Sequence, residues 1–336
     1  MKFISASDLC EPDWQFLGPY CTDPNVEWTT HSGQPRNAFE RLMKRATIGR
    51  YRAAWTSTRE ARSTQNAVLV SHLPLMAAAT NVARRQRCPE TPHIGFSFNF
   101  TDLPTRARRR YLANALSDIT ECVVYSKFER DLYPAHFDLD PKLFRFLPWA
   151  MDPPEPDDVN VTGLSAPYLC SIGGEGRDYA LLADVMRKLP HLTMVVVARP
   201  SSIAAVQFSD NVMVFTDLPL AQTWRIAKDS LGLVLPLLSP DTACGNITIV
   251  GAQQLGIALV VTRSQGVSDY VAEGETARLV TARDSDALRQ AVIELHDEPT
   301  QAQARVAAGL AKARSENNPL RLLEYFLEHA RKGGCN

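Results

Sequence analysis

No apolar run in this chain approaches the ~20 residues needed to cross a bilayer, and no charged start followed by an apolar stretch opens it. A protein of the cytoplasm is the expectation. Cysteine is sparse and scattered: Cys10, Cys21, Cys88, Cys122, Cys170, Cys244 and Cys335 form no CxxC pair. Their spacing excludes a cysteine zinc site and a disulfide framework, leaving reduced thiols. Net charge is almost absent, at −1, and the aromatics do not interleave with basic clusters, so no nucleic-acid partner is expected. Short-period repeats and low-complexity segments are missing too.

What is present suits two globular domains: 336 residues, 45% hydrophobic and 22% charged. Short apolar runs alternate with helical segments, the pattern of α/β layering. In the front half, strands are predicted near 2–5, 28–30, 67–71, 94–98 and 121–125, with helices over 38–45, 75–85, 105–118 and 127–132. Residues 7–37 hold many turn formers and read as a long loop. Three prolines and four acids fall within residues 151–158; they forbid a helix and resist burial, so a linker ends a first domain at 1–152.

The second domain, 153–317, restarts with a strand at 168–172, a turn at Gly173, Gly174 and Gly176, and a helix over 179–189. Strands at 193–197 and 212–215 and a helix over 220–228 follow. Repeats of this kind build a doubly wound sheet that collects ligands at the carboxyl ends of its strands. Beyond Asn318 and Pro319, Leu320, Leu323, Phe326, Leu327 and Ala330 recur at spacings of three and four. That stripe predicts a terminal helix, 318–336, packing back across the junction.

Residues 233–280 form the most informative stretch. An apolar run (233–238), limited by Pro236, leads into a turn of small and polar residues (239–246). A short helix (247–255), stopped by Gly256, and a β-branched run (258–262) follow. Free N–H groups at the helix start would face an anion lying in the turn, and the helix dipole favours one there. Gly245 lets a ligand approach the backbone, and Asn246 is expected to cap the helix. Elsewhere, Arg84-Arg85-Gln86-Arg87 and the arginines of 106–110 suit anionic headgroups at a membrane face, an acidic acceptor, or simply a solvated helix surface.

From about residue 65 onward these segments resemble the retaining GT-B glycosyltransferases of the family 4 type, the glycosyl transferases of group 1. LCSIGGEGRDYALL (169–182) is similar to that family's strand, Gly-rich loop and basic helix start. Residues 239–261 resemble its donor loop and helix, GVSDYVAEGETARLV (266–280) its acid-containing loop and closing strand, and 282–292 the helix after it. In front, Val70-Ser71-His72, 123–127 and 146–152 resemble its strand-plus-His, strand-plus-Ser and domain-closing elements.

The resemblance implies an α/β GT-B fold, two Rossmann-like doubly wound domains facing a central cleft, with the acceptor side in front and the nucleotide-sugar side behind. It implies retaining transfer of a sugar from a nucleotide diphosphate donor, as co-substrate, to a glycan, lipid-linked or small-molecule acceptor, without a metal or other cofactor. A related inverting transferase is the alternative within enzymes. Arg177 would then meet the charge building on the leaving diphosphate, with Gly173 and Gly174 allowing close approach. Gly245, Asn246, Ile247 and Thr248 would add N–H groups and a hydroxyl. Asp217 lies where such folds hold the base. His72 would contact the transferred sugar or orient the acceptor, unless it is a structural histidine.

One departure stands out. Family members place two glutamates eight positions apart around the donor helix, and here those positions hold Ala243 and Gly251. Asp241 and Gln253 are the nearest polar residues to compensate. A chain that binds a sugar nucleotide or a partner glycosyltransferase without chemistry is the second reading. Asp269 and Tyr270 belong to the matched segment, while Glu273 and Glu275 read as solvated loop carboxylates.

Overall fold

A computed structural model describes residues 1–8, 10, 14–36, 40, 47–100, 102–163 and 167–333. The helix expected over 38–45 lies outside the described residues apart from Glu40. The chain divides into two contact units, Met1–Leu147 with Pro319–Asn336, and Pro148–Asn318.

The first unit is built on a parallel sheet of order β2-β1-β3-β4-β5-β6, with β1 Lys2–Ser7, β2 Glu27–Ser32, β3 Ala67–His72, β4 His93–Phe96, β5 Glu121–Val124 and β6 Phe144–Phe146. The stretch read as a loop over 7–37 thus contains the edge strand β2. Helices Thr47–Ser63, Pro74–Arg87, Arg106–Leu116 and Lys127–Phe137 follow β2, β3, β4 and β5 in turn, each packed against the next. All four connections advance the same way along the sheet, so right-handed crossovers put them on one face. Ile4 and Leu69 meet Ala61 there.

Phe3, next to Ile4, points to the other face, because side chains alternate along a strand. It stacks on Trp28 with ring centroids 4.4 Å apart and meets Phe326 edge-on at 5.4 Å. Phe326 also touches Phe16, Trp28 and Phe96, and burying it contributes on the order of 2 kcal/mol. These rings hold helix Pro319–Gly333 in the first unit.

A buried polar network ties β3 and β4 to two of the helices. His93 Nδ1 lies 3.0 Å from Asn81 Oδ1, and the Asn81 amide donates to Asp118 at 2.8 Å. An amide oxygen only accepts, so His93 carries its proton on Nδ1 and its Nε2 accepts from the Ser71 hydroxyl at 2.5 Å. Arg84 donates to Asn81 Oδ1 and to Asp118, and Arg85 also pairs with Asp118. Two of the three arginines of the first basic cluster are therefore engaged in internal pairing, and Arg87 is not among them.

The second unit has a parallel sheet of order β12-β11-β10-β7-β8-β9: β7 Leu169–Ile172, β8 Met194–Ala198, β9 Val212–Thr216, β10 Leu233–Leu235, β11 Leu259–Thr262 and β12 Arg278–Val280. β10 stops at the residue before Pro236, whose missing N–H ends the ladder. Leu169, Met194, Val196, Val234 and Val260 face helices Tyr179–Arg187 and Ser285–Asp297, while Cys170, Val195, Leu233, Leu235 and Val261 face helices Leu220–Asp229 and Asn246–Gln254. From β7 the chain winds outward through β8 and β9, then returns to β10 on the other side of β7. The strand order reverses between β7 and β10, the crevice where doubly wound sheets bind ligands. Among the described residues no helix is long and apolar enough to cross a membrane.

Candidate functional site

Two loops meet at that reversal. The loop after β7 runs along the one after β10: Asp178 N–H donates to Pro236 O at 2.9 Å and Leu238 N–H to Gly176 O at 3.0 Å. Asp178 caps helix Tyr179–Arg187 by accepting from Leu181 N–H at 3.0 Å. Gly173 has φ +106°, and a Cβ there would lie 2.7 Å from Arg177 Nη2. Glycine is thus required twice, by conformation and by the guanidinium in the vacated space. That space receives Arg177 itself, and the corresponding space at Gly174 receives the stem of Arg199.

Arg177 is 8% exposed. Its Nη1 donates to Glu175 O at 2.8 Å, its Nε reaches Ile172 O at 3.4 Å, and its Nη2 donates to Thr248 Oγ1 at 3.1 Å. All these acceptors are neutral. The Glu175 carboxylate turns away to Arg199, and among the described residues no carboxylate forms an ion pair with Arg177. A buried cation left unpaired costs several kcal/mol, which an anion in the crevice would offset.

The bond to Thr248 joins Arg177 to the start of helix Asn246–Gln254. The cap is Gly245, not Asn246: Gly245 has φ 110° and accepts from Ile249 N–H at 2.9 Å. Asn246 instead takes the first helical position, where its side-chain oxygen accepts from Ile247 N–H at 3.1 Å. The first-turn N–H groups have no backbone acceptor within the helix, that of Ile247 having only the Asn246 side chain, and they start beside the guanidinium. The loop before them is pinned by Ser264, whose hydroxyl donates to Thr242 O, and by Gln265 N–H donating to Pro240 O at 2.7 Å. Gly266 permits this contact, since a Cβ there would lie 2.4 Å from Ala243 Cα. Gly266 and Arg199 went unnoticed as site residues in the sequence; the only signal was a glycine in the matched loop and a basic residue just past β8.

The structure brings together Gly173, Gly174, Arg177, Gly245, Asn246, Ile247 and Thr248. Asp217 lies apart from them, exposed with φ 56°, one residue past β9. β9 is two strand spacings from β7, roughly 10 Å. Of the two suggested compensations for the missing glutamates, Gln253 is spent in the core and Asp241 stays in the exposed loop after β10. Gln253 is 2% exposed and donates to Tyr270 O at 3.0 Å, while exposed Asp241 accepts from Gln265 at 2.8 Å. Gly251 is not empty space: a Cβ there would meet the Trp224 ring at 2.4 Å. Glu273 pairs with Arg278 at 2.6 Å, so it is not merely solvated, and the Tyr270 hydroxyl accepts from Trp149 N–H at 2.8 Å.

His72 belongs to the first unit, at the end of β3. It is 5% exposed beneath Trp14 and Phe16, with ring centroids 5.0 and 4.7 Å away, and its Nε2 has no hydrogen-bond partner among the described residues. Leu73 beside it is held at φ 74°, a conformation that costs a non-glycine residue energy and clusters at ligand sites. Burial depresses the pKa of His72 and of His93 from 6.5 to about 3. Both rings are neutral in the fold and charged in the unfolded chain below pH 6.5. The unfolded state then binds more protons, so stability falls as pH drops from 6.5 toward 3, by about 1.4 kcal/mol per pH unit for each ring. Urea unfolding at stepped pH is expected to show this slope, roughly halved in His72→Phe; a flat profile would refute it.

The folds and the crevice define a class: the chain has the GT-B architecture of two parallel doubly wound units. No family model matches the sequence, and no curated protein matches it. Among solved structures it is similar to Anabaena HepE in complex with UDP-glucose (TM-score 0.76, 11% identity, 99% of this chain and 100% of that one). Sucrose-phosphate synthase from Thermosynechococcus elongatus is similar at TM-score 0.72 and 12% identity, over 99% and 100% of the two chains. A glycosyltransferase from Rickettsia africae also matches at 0.72 and 11%, over 100% and 99%.

Proposed function

We propose that this chain is a glycosyltransferase that takes a sugar from a nucleoside diphosphate donor, retaining and independent of metal, and passes it to a glycan, lipid-linked or small-molecule acceptor. The observation that carries this reading is the buried, unpaired guanidinium of Arg177 bonded to Thr248 at a helix start. A diphosphate there would accept from Arg177 and from the N–H groups of 246–248, and the same groups would meet the charge that builds as the anomeric bond breaks. Asp217 would lie near the base and His72 near the sugar or acceptor. HepE was solved with UDP-glucose, which makes UDP-sugars the first donors to test.

Free nucleoside diphosphates are expected to raise thermal stability, by about 2.7 kcal/mol at 100 times the dissociation constant. A melting temperature unmoved by every nucleoside diphosphate would remove the donor site. A second reading, a GT-B chain that binds a sugar nucleotide or a partner enzyme without chemistry, draws on Trp224 filling the space at Gly251. Turnover across a panel of nucleotide sugars separates the two.

A further inference from the structure

Helix Thr47–Ser63 carries its large side chains outward. Ile48, Tyr51 and Trp55 are 41%, 54% and 52% exposed, and Arg59 and Arg62 continue the same stripe at spacings of four and three. Inward it presents Ala53, Ala54, Ser57, Thr58 and Ala61. Single exposed apolar residues are ordinary, but these join others. Tyr111 of the Arg106–Leu116 helix is 41% exposed and interacts with Tyr51, and Arg87 stacks on Trp55 with its guanidinium 3.7 Å from the ring. Leu103 adds further apolar surface just ahead of that helix.

Charge on three of the four helices of this layer is one-sided. The helices Thr47–Ser63, Pro74–Arg87 and Arg106–Leu116 contain many arginines and one acid, Glu60, which is occupied by Lys2 and His31. Arg50, Arg52, Arg84 and Arg85 pair internally, and Arg109 donates to His136 O. Arg59, Arg62, Arg87, Arg106, Arg108 and Arg110 form no ion pair among the described residues. Trp, Tyr and aliphatic side chains set among arginines fit the headgroup zone of an anionic bilayer. A single-stranded nucleic acid would instead call for aromatic platforms in a groove, whereas these lie along a helix crest.

We propose that the outer face of this helix layer docks on anionic phospholipid bilayers, with Ile48, Tyr51, Trp55 and Tyr111 entering the interface and the free arginines meeting phosphate. The surface lies within the first unit, so its test is independent of the nucleotide site. Co-sedimentation with vesicles of phosphatidylcholine plus phosphatidylglycerol is expected to exceed that with phosphatidylcholine alone by more than about tenfold, and to fall at high salt. The exposed triple variant Arg59→Glu/Arg62→Glu/Arg108→Glu is expected to lose about 100-fold in partitioning, and Trp55→Ser about tenfold. Both should keep the parent's melting temperature and its response to nucleoside diphosphates. Equal partitioning on the two vesicle types, an unaffected triple variant, tighter binding to a polynucleotide than to anionic vesicles, or dimerisation lost in Trp55→Ser with no vesicle binding would each overturn the proposal.

Discussion

Arg177→Met is expected to lower nucleoside diphosphate affinity by roughly 100-fold and turnover by about 10²- to 10³-fold, while ligand-free stability changes by less than about 1 kcal/mol. The two halves of this result have one cause. In the free protein the guanidinium is buried against the carbonyls of Ile172 and Glu175 and the hydroxyl of Thr248, without a counter-charge among the described residues. Methionine of similar length fills the space beside Gly173 and relieves the unpaired cation, which offsets the donors lost to two carbonyls. A bound diphosphate, by contrast, loses a forked, charge-assisted donor that nothing else replaces. Calorimetric titration, donor turnover and melting of the free protein check this together. An unchanged affinity would move the anion site elsewhere, and a large drop in free stability would make Arg177 a structural residue.

The crevice was legible because its requirements are local. In each of two segments a strand, a glycine turn and a helix start lie close together, and the resemblance of both segments to the family's loops led to positions 173, 177 and 245–248. The choice between Gly245 and Asn246 as cap was not legible. It is decided by a backbone angle of 110°, which glycine adopts without strain although asparagine is the better capping side chain.

The first unit was harder to read for physical reasons. Helix Thr47–Ser63 buries alanine, serine and threonine and exposes tyrosine and tryptophan, the reverse of the pattern that marks an amphipathic helix. Arg84 and Arg85 read as surface charge until Asp118, from a distant part of the chain, is seen beside them. Gly251 looked like a lost glutamate, and its reason lies in Trp224 on another helix.

That packing sets the second large expected effect. Gly251→Glu, the change that restores the resemblance, is expected to destabilise the protein by about 3 kcal/mol or more rather than to improve donor binding. Replacing a helical glycine should by itself gain up to about 1 kcal/mol. Against that, the new Cβ would lie 2.4 Å from Trp224 Cη2, 2.6 Å from Cζ2 and 3.1 Å from Pro154 Cγ. Trp224 is 3% exposed and packed in the core, so its rigid ring cannot swing aside, and the glutamate would also bring a carboxylate into apolar surroundings. Trp224→Ala opens the space at its own cost of about 3–5 kcal/mol. In the double variant the two costs should therefore fall short of additivity by more than about 1 kcal/mol, because the clash is charged only while the indole is present. Urea unfolding of the four proteins measures this coupling. If Gly251→Glu alone is as stable as the parent and binds nucleoside diphosphate more tightly, the position is open, and the missing carboxylate is a simple loss instead of an exchange for an indole.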